Sequence, residues 1–256
     1  MKFKSKNYTK MERLKESWES ILIIHLSCQT LGDKNEGYSP RITSIAVMHV
    51  ASATMHSFSI HLAAEIDKIP PEEIGSHYDS LEGKMLTKFY RFLQEHQNYY
   101  WIHWNMRDIN FGFEAISHRF KVLTGEDAPM LPDENRICLP TLITAVYGRN
   151  YAEHPKMYNL MELNGGKHRH ILNGQDEVNA FDHKQFFIMH QSTMAKVYFF
   201  KSVLEKLMRG KLVTKNSILR HRVSEFMERP GVKILGFVAV LITVFQLLYI
   251  GIQKVT

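Results

Sequence analysis

Residues 98–119 read NYYWIHWNMRDINFGFEAISHR, and how this stretch folds decides how the rest of the chain is read. Tyr99, Tyr100, Trp101, Ile102 and Trp104 crowd apolar side chains into a short run, which predicts a buried strand. Asn105, Met106, Arg107 and Asp108 then make a polar turn, and Asp108 is of the residue type that opens helices. Phe111, Ala115, Ile116 and Phe120 return at helical spacing, so the chain is expected to pass from strand to helix across that turn. A carboxylate held where a strand ends lies where α/β proteins commonly meet their ligands. Asp108 is therefore either a helix cap or a site residue.

Outward from this unit, residues 21–26 (ILIIHL) are apolar on both faces and predict a central strand that ends in Ser27, Cys28 and Gln29. Residues 41–50 and 54–62 predict two more strands joined as a hairpin. Pro70-Pro71 breaks the chain, and residues 81–96 carry Met85, Phe89, Phe92 and Leu93 on one helical face. Further helices are expected over residues 9–19, 137–147, 158–163, 176–187 and 192–208, with Asn164-Gly165-Gly166 ending the third of these. Three strands, a helix, a strand and then helices make an α/β fold: a mixed sheet flanked by helices.

Composition bounds the class. Apolar residues make up 45% and charged residues 23% of the 256, as in globular proteins, and the chain is long enough for one sizeable core. The net charge of +6 is uneven. Residues 196–233 hold ten Lys/Arg against three Glu and Lys254 adds one more positive charge, so the first 195 residues sum to −2. Overall basicity is therefore no argument for a nucleic-acid surface on the main domain. Cys28 and Cys138 form neither a disulfide framework nor a C-x-x-C pair.

From Ile234 to Ile252 the chain runs nineteen residues without a formal charge. As a helix this segment would extend roughly 28 Å, the thickness of a bilayer's hydrocarbon. Lys215, Arg220, Arg222, Arg229 and Lys233 precede it and only Lys254 follows, which predicts a cytoplasmic main domain with a C-terminal membrane anchor. The expected organisation is a basic arm (1–19), a folded domain (20–210), a basic juxtamembrane linker (211–233), a transmembrane helix (234–252) and a short tail (253–256).

The element order, with an acid after the fourth strand and another on a late helix, resembles the ribonuclease H-like 3′-5′ exonucleases of the DEDD type. That resemblance implies a ribonuclease H-like sheet over about residues 20–195. It also implies four acids holding two divalent cations, Mg²⁺ or Mn²⁺, that activate water at a phosphodiester. Asn105 and Asp108 resemble the third motif, and His170 with Asp176 resembles the fourth, with Glu177 as a substitute acid. The first motif is degenerate, because Ser27 and Gln29 stand where its two acids belong; Asp33 and Glu36 in the following loop are the nearby replacements. Losing two carboxylates removes two negative charges, each worth several kcal/mol to a nearby ion at an effective dielectric of about 20. The resemblance thus implies residual catalytic or metal-binding positions at Asp108, Asp176 and Glu177. It further implies substrate contacts from Asn105, Lys167, Arg169 and His170, with single-stranded DNA or RNA as partner.

The expected function is a membrane-tethered cytoplasmic protein that interacts with nucleic acid through a degenerate exonuclease-type site. The alternatives are an active metal-dependent 3′-5′ exonuclease and a membrane-anchored scaffold for protein partners. Other patterns carry less. His168 and His170, with His154 or Asp176, have the residue types of a transition-metal site but also those of a solvated loop. Tyr99, Tyr100, Trp101 and Trp104 have the chemistry to stack on bases, yet at strand spacing they read first as core. Ser27 beside His25 or His103 lacks a Gly-x-Ser-x-Gly elbow, and no phosphate-binding glycine loop occurs.

Overall fold

A computed structural model describes residues 2–29, 40–107 and 111–218. Asp33, Glu36, Asp108 and the apolar segment from Ile234 to Ile252 lie outside the described residues, and with them the expected membrane anchor. Among the described residues no helix is long and apolar enough to cross a membrane.

The elements run α1 (Lys2–Glu16), β1 (Ile21–Cys28), β2 (Ile42–His49), β3 (Thr54–Ser59), α2 (Ile60–Ile66), α3 (Tyr78–Glu95), β4 (Tyr100–His103) and α4 (Phe113–Thr124). They continue with β5 (Arg136–Cys138), α5 (Leu139–Tyr147), α6 (Lys156–Leu163), α7 (Gly174–Asp182) and α8 (Phe186–Met208). The strands form one mixed sheet in the order β3-β2-β1-β4-β5. β1 pairs parallel with β4, and β4 parallel with β5, while β2 runs antiparallel to both of its neighbours.

The sheet is buried on both faces, which is why β1 carries no polar alternation. Leu22, Ile24, Leu26 and Cys28 point into a core shared with α2, α3 and α4, whereas Ile21 and Ile23 join a second core with α1, α5, α6 and α8. The period-two geometry of a strand sends His25 and Ser27 to that second face. α8 covers it with Val197, Phe200, Val203, Leu204 and Leu207 at helical spacing. Each such side chain taken from water contributes about 1.5–3 kcal/mol, so the two cores hold the sheet between two helical layers.

Four differences from the expected elements have physical causes. The strand expected over residues 54–62 stops at Ser59, because Ile60, Ala63 and Ala64 bury at helical spacing and begin α2. The helix expected from residue 137 begins at Leu139, since Arg136–Cys138 is a fifth strand too short to show periodicity. The break between the last two long helices falls at residues 183–185, where Lys184 takes a positive φ of 56°.

The helix after β4 is not opened by Asp108. It starts at Phe113, and its N-cap position is Gly112. Arg107 bridges Gly112 across the turn. With φ at 149°, a Cβ on Gly112 would lie 2.5 Å from the carbonyl carbon of Met106. The chain must close there before it can turn into helix, and only glycine fits.

Candidate functional site

Polar side chains gather where β1 leaves the sheet under the first half of α8. The site is built from a strand that should be apolar and a helix whose buried stripe is interrupted. Ser27 and its cross-strand partner Ser44 both face α8. On α8, His190, Ser192, Thr193 and Lys196 are all buried and polar. α7 supplies the carboxylate.

The local geometry of α7 separates its two adjacent acids. Asn173 caps the helix, its Oδ1 accepting from the backbone N–H of Gln175 at 2.9 Å and of Asp176 at 3.0 Å. Asp176 returns the bond by accepting from the Asn173 N–H, completing a capping box. Its carboxylate thus serves the helix terminus. Glu177, about 100° further round the helix, turns inward and is 1% exposed.

Three donors converge on one oxygen of Glu177. Lys196 Nζ donates to Oε1 at 2.6 Å, Ser27 Oγ at 3.0 Å and Ser192 Oγ at 3.3 Å. Ser27 Oγ also lies 2.7 Å from Thr193 Oγ1, which in turn lies 2.9 Å from the Met189 carbonyl. Two hydroxyl protons cannot serve all three of these contacts. The chain that runs Thr193 to Ser27 to Glu177 ends on a charge and is favoured, because hydrogen bonds to ionised acceptors are the stronger ones. Ser27, one of the two positions where the resemblance expects a missing acid, therefore touches an acid of α7. It touches Glu177 and lies beside its lysine.

Neutral histidines flank the pair. His25, packed edge-on against Phe111 and Phe200, is held well below the ordinary imidazole range, first by burial and then by the charge of Lys196. Its Nδ1 has no hydrogen-bond partner among the described residues. His190 sits at about 4, again mainly through burial, and its Nδ1 lies 2.6 Å from Ser44 Oγ. Burial disfavours the protonated ring, so neither histidine adds a second cation beside Lys196.

The remaining expected site residues are spread. Gln29 follows β1, its backbone N–H bonded to the Arg41 carbonyl and its buried Oε1 without a partner among the described residues. Asn105 takes a positive φ of 54°, and its Oδ1 accepts from the Cys138 thiol at 3.5 Å, over β5 and not over the Glu177 pair. Lys167 and Arg169 are exposed on the loop before α7, where Arg169 Nε donates to His170 Nε2 at 3.0 Å and Lys167 lies over the Tyr158 ring. Trp101 and Trp104 are core residues, one on each face of the sheet. Among the described residues no three metal-ligating side chains come together, the histidine loop included.

Chemically, the Glu177 pair is neutral and closed. A divalent ion at this carboxylate would have to displace an ammonium already in hydrogen-bond contact, and Ser27, fully buried, offers no approach to a substrate. The lysine was the residue missed in the sequence. Its signal is the spacing of His190, Thr193 and Lys196, three polar residues on what is otherwise the apolar stripe of α8. Comparison with protein-family models, with curated proteins and with solved structures finds no match to this chain.

Proposed function

We propose that this chain is a nucleic-acid-interacting protein with a ribonuclease H-like domain whose exonuclease-type site is occupied by its own lysine. The apolar segment from Ile234 to Ile252 would tether that domain to the cytoplasmic face of a membrane. The order β3-β2-β1-β4-β5 with β2 alone reversed supports the topological part of this reading. So does the placement of Ser27, at the end of the central strand, against an acid from a late helix.

The observation that carries the functional part is the buried contact of Lys196 with Glu177. Two-metal hydrolysis needs several anionic oxygens around hard cations. Here the carboxylate is neutralised internally, and Asp176 is engaged at a helix cap. Strand contacts then fall to the exposed Lys167 and Arg169 with His170, on the loop that leads into α7.

The full chain in detergent micelles should be offered labelled single-stranded DNA and RNA with Mg²⁺ or Mn²⁺. Binding without cleavage is expected, with affinity falling as salt rises, and Lys167→Gln with Arg169→Gln should flatten that salt dependence. Cleavage that disappears in Asp108→Ala would contradict the proposal. Absence of salt-sensitive binding would contradict it as well and favour a protein scaffold.

A further inference from the structure

A polar cavity of about 330 Å³ opens on the other side of β4, where β4 and β5 end. It shares no residue with the Glu177 pair, and its chemistry is independent of the exonuclease-type reading. His103, the last residue of β4, and Cys138, the last of β5, form part of its wall, and Arg107, Arg136, Lys10 and Thr141 line it from four further positions. The C-terminal edge of parallel strands is where α/β folds present ligand sites.

The charges in this cavity are unequal in a way that selects an anion. Glu114 and Asp133 also line it, but both lie against Arg136, at 2.6 Å and 3.8 Å. Among the described residues neither Lys10 nor Arg107 is in an ion pair with a carboxylate. Arg107 instead donates to the Thr141 hydroxyl, which fixes its guanidinium at the first turn of α5. No side chain caps α5 at Cys138, and although Pro140 contributes no N–H, the other amides of that helix's first turn add positive potential on the same side.

His103 completes the donor set. Its Nδ1 accepts from the Met106 N–H at 3.1 Å, which leaves the ring proton on Nε2. The ring is held at about 3 by burial and then by Arg107 and Arg136, so it remains a neutral donor near neutral pH.

We propose that this cavity binds a phosphate monoester, whether of a free nucleotide or of a strand terminus. The lining nets one positive charge, three cations against Glu114 and Asp133, and the two cations without a carboxylate partner among the described residues, Lys10 and Arg107, are the groups that the nearly two negative charges of a monoester would meet, where an internal diester brings only one. Planar guanidinium and a hydroxyl beside it are the partners that phosphate oxygens take.

The test uses the full chain in micelles. Titration calorimetry with inorganic phosphate, uridine 5′-monophosphate and uridine separates phosphate from base recognition. Anisotropy with a 5′-phosphorylated oligothymidylate and its 5′-hydroxyl counterpart separates a strand terminus from a free nucleotide as the source. The phosphorylated probes should bind at least tenfold tighter than their unphosphorylated counterparts. Arg107→Gln and, separately, Lys10→Gln should remove that preference while leaving the melting curve and the binding of the hydroxyl strand unchanged. Equal affinity for phosphorylated and unphosphorylated probes would overturn the proposal, as would a preference that survives both substitutions.

Discussion

Lys196 Nζ lies 2.6 Å from Glu177 Oε1, with the two side chains 3% and 2% exposed. Glu177, hydrogen-bonded to Ser27 near the end of the central strand, thus carries its own counter-ion, delivered by the neighbouring helix. Ser27 and Ser192 donate the hydrogen bonds that such a desolvated pair requires, and Thr193 in turn meets the Ser27 hydroxyl.

Removing one member should therefore cost far more than removing both. Lys196→Met leaves a buried carboxylate unpaired, and about 3–5 kcal/mol of stability should be lost. Combining it with Glu177→Leu should recover most of that loss. Urea unfolding of the full chain and of the variants measures the coupling. Additive losses would mean that the pair is not a unit.

Acid should destabilise the fold over a defined range. His25, His103 and His190 are all held below the ordinary value of 6.5, His103 at about 3 and His190 at about 4, chiefly by burial. They are neutral when folded but take up protons below that value once unfolded. Their contribution is complete above about pH 6.5 and is lost as pH falls toward the folded values, with a slope of up to about 4 kcal/mol per pH unit. Glu82, whose carboxyl is raised by burial despite Arg119, works with the opposite sign and costs stability as pH rises through the carboxylate range. Urea midpoints between pH 7.5 and 5 should fall steeply, and His190→Gln should make the fall shallower. A midpoint that does not move with pH would refute the assignment.

Gly112→Ala should disturb the turn after β4. The added Cβ would meet backbone, lying 2.5 Å from Met106 C and 2.7 Å from Met106 O, and backbone cannot swing aside as a side chain does. A loss of about 2–3 kcal/mol is expected, in the range of other glycine positions whose φ excludes alanine. Hydrogen exchange should show the Arg107–Gly112 bridge opening. Unchanged protection and stability would mean that the turn tolerates a side chain.

Much of the fold was legible because its elements bury long periodic faces. The two-sided apolar run of β1, the aromatic run of β4 and the stripe of α3 each have a signal that tertiary context only reinforces. The three residues of β5 have no period to read. The alternation Phe58, Ile60, Leu62 mimics a strand, although helical burial of Ile60, Ala63 and Ala64 takes over from Ser59. At the candidate site, Ser27 and Glu177 were identifiable as positions, but their contact was not. Which of Asp176 and Glu177 turns inward depends on the Asn173 cap, and the role of Lys196 depends on which face of α8 meets the sheet. The pocket beside β5 has no local signature because its cations come from parts of the chain far apart in sequence, Lys10, Arg107 and Arg136, and only the fold brings them together.

Manganese binding shows whether Glu177 is free to hold a metal ion. Electron paramagnetic resonance titration of Mn²⁺ into the full chain, wild type against Glu177→Gln, reports whether this carboxylate holds a metal. With the Lys196 ammonium in the cation's place, the two titrations should coincide. A stoichiometric Mn²⁺ site in the wild type that vanishes in Glu177→Gln would mean that Lys196 does not hold the cation's place.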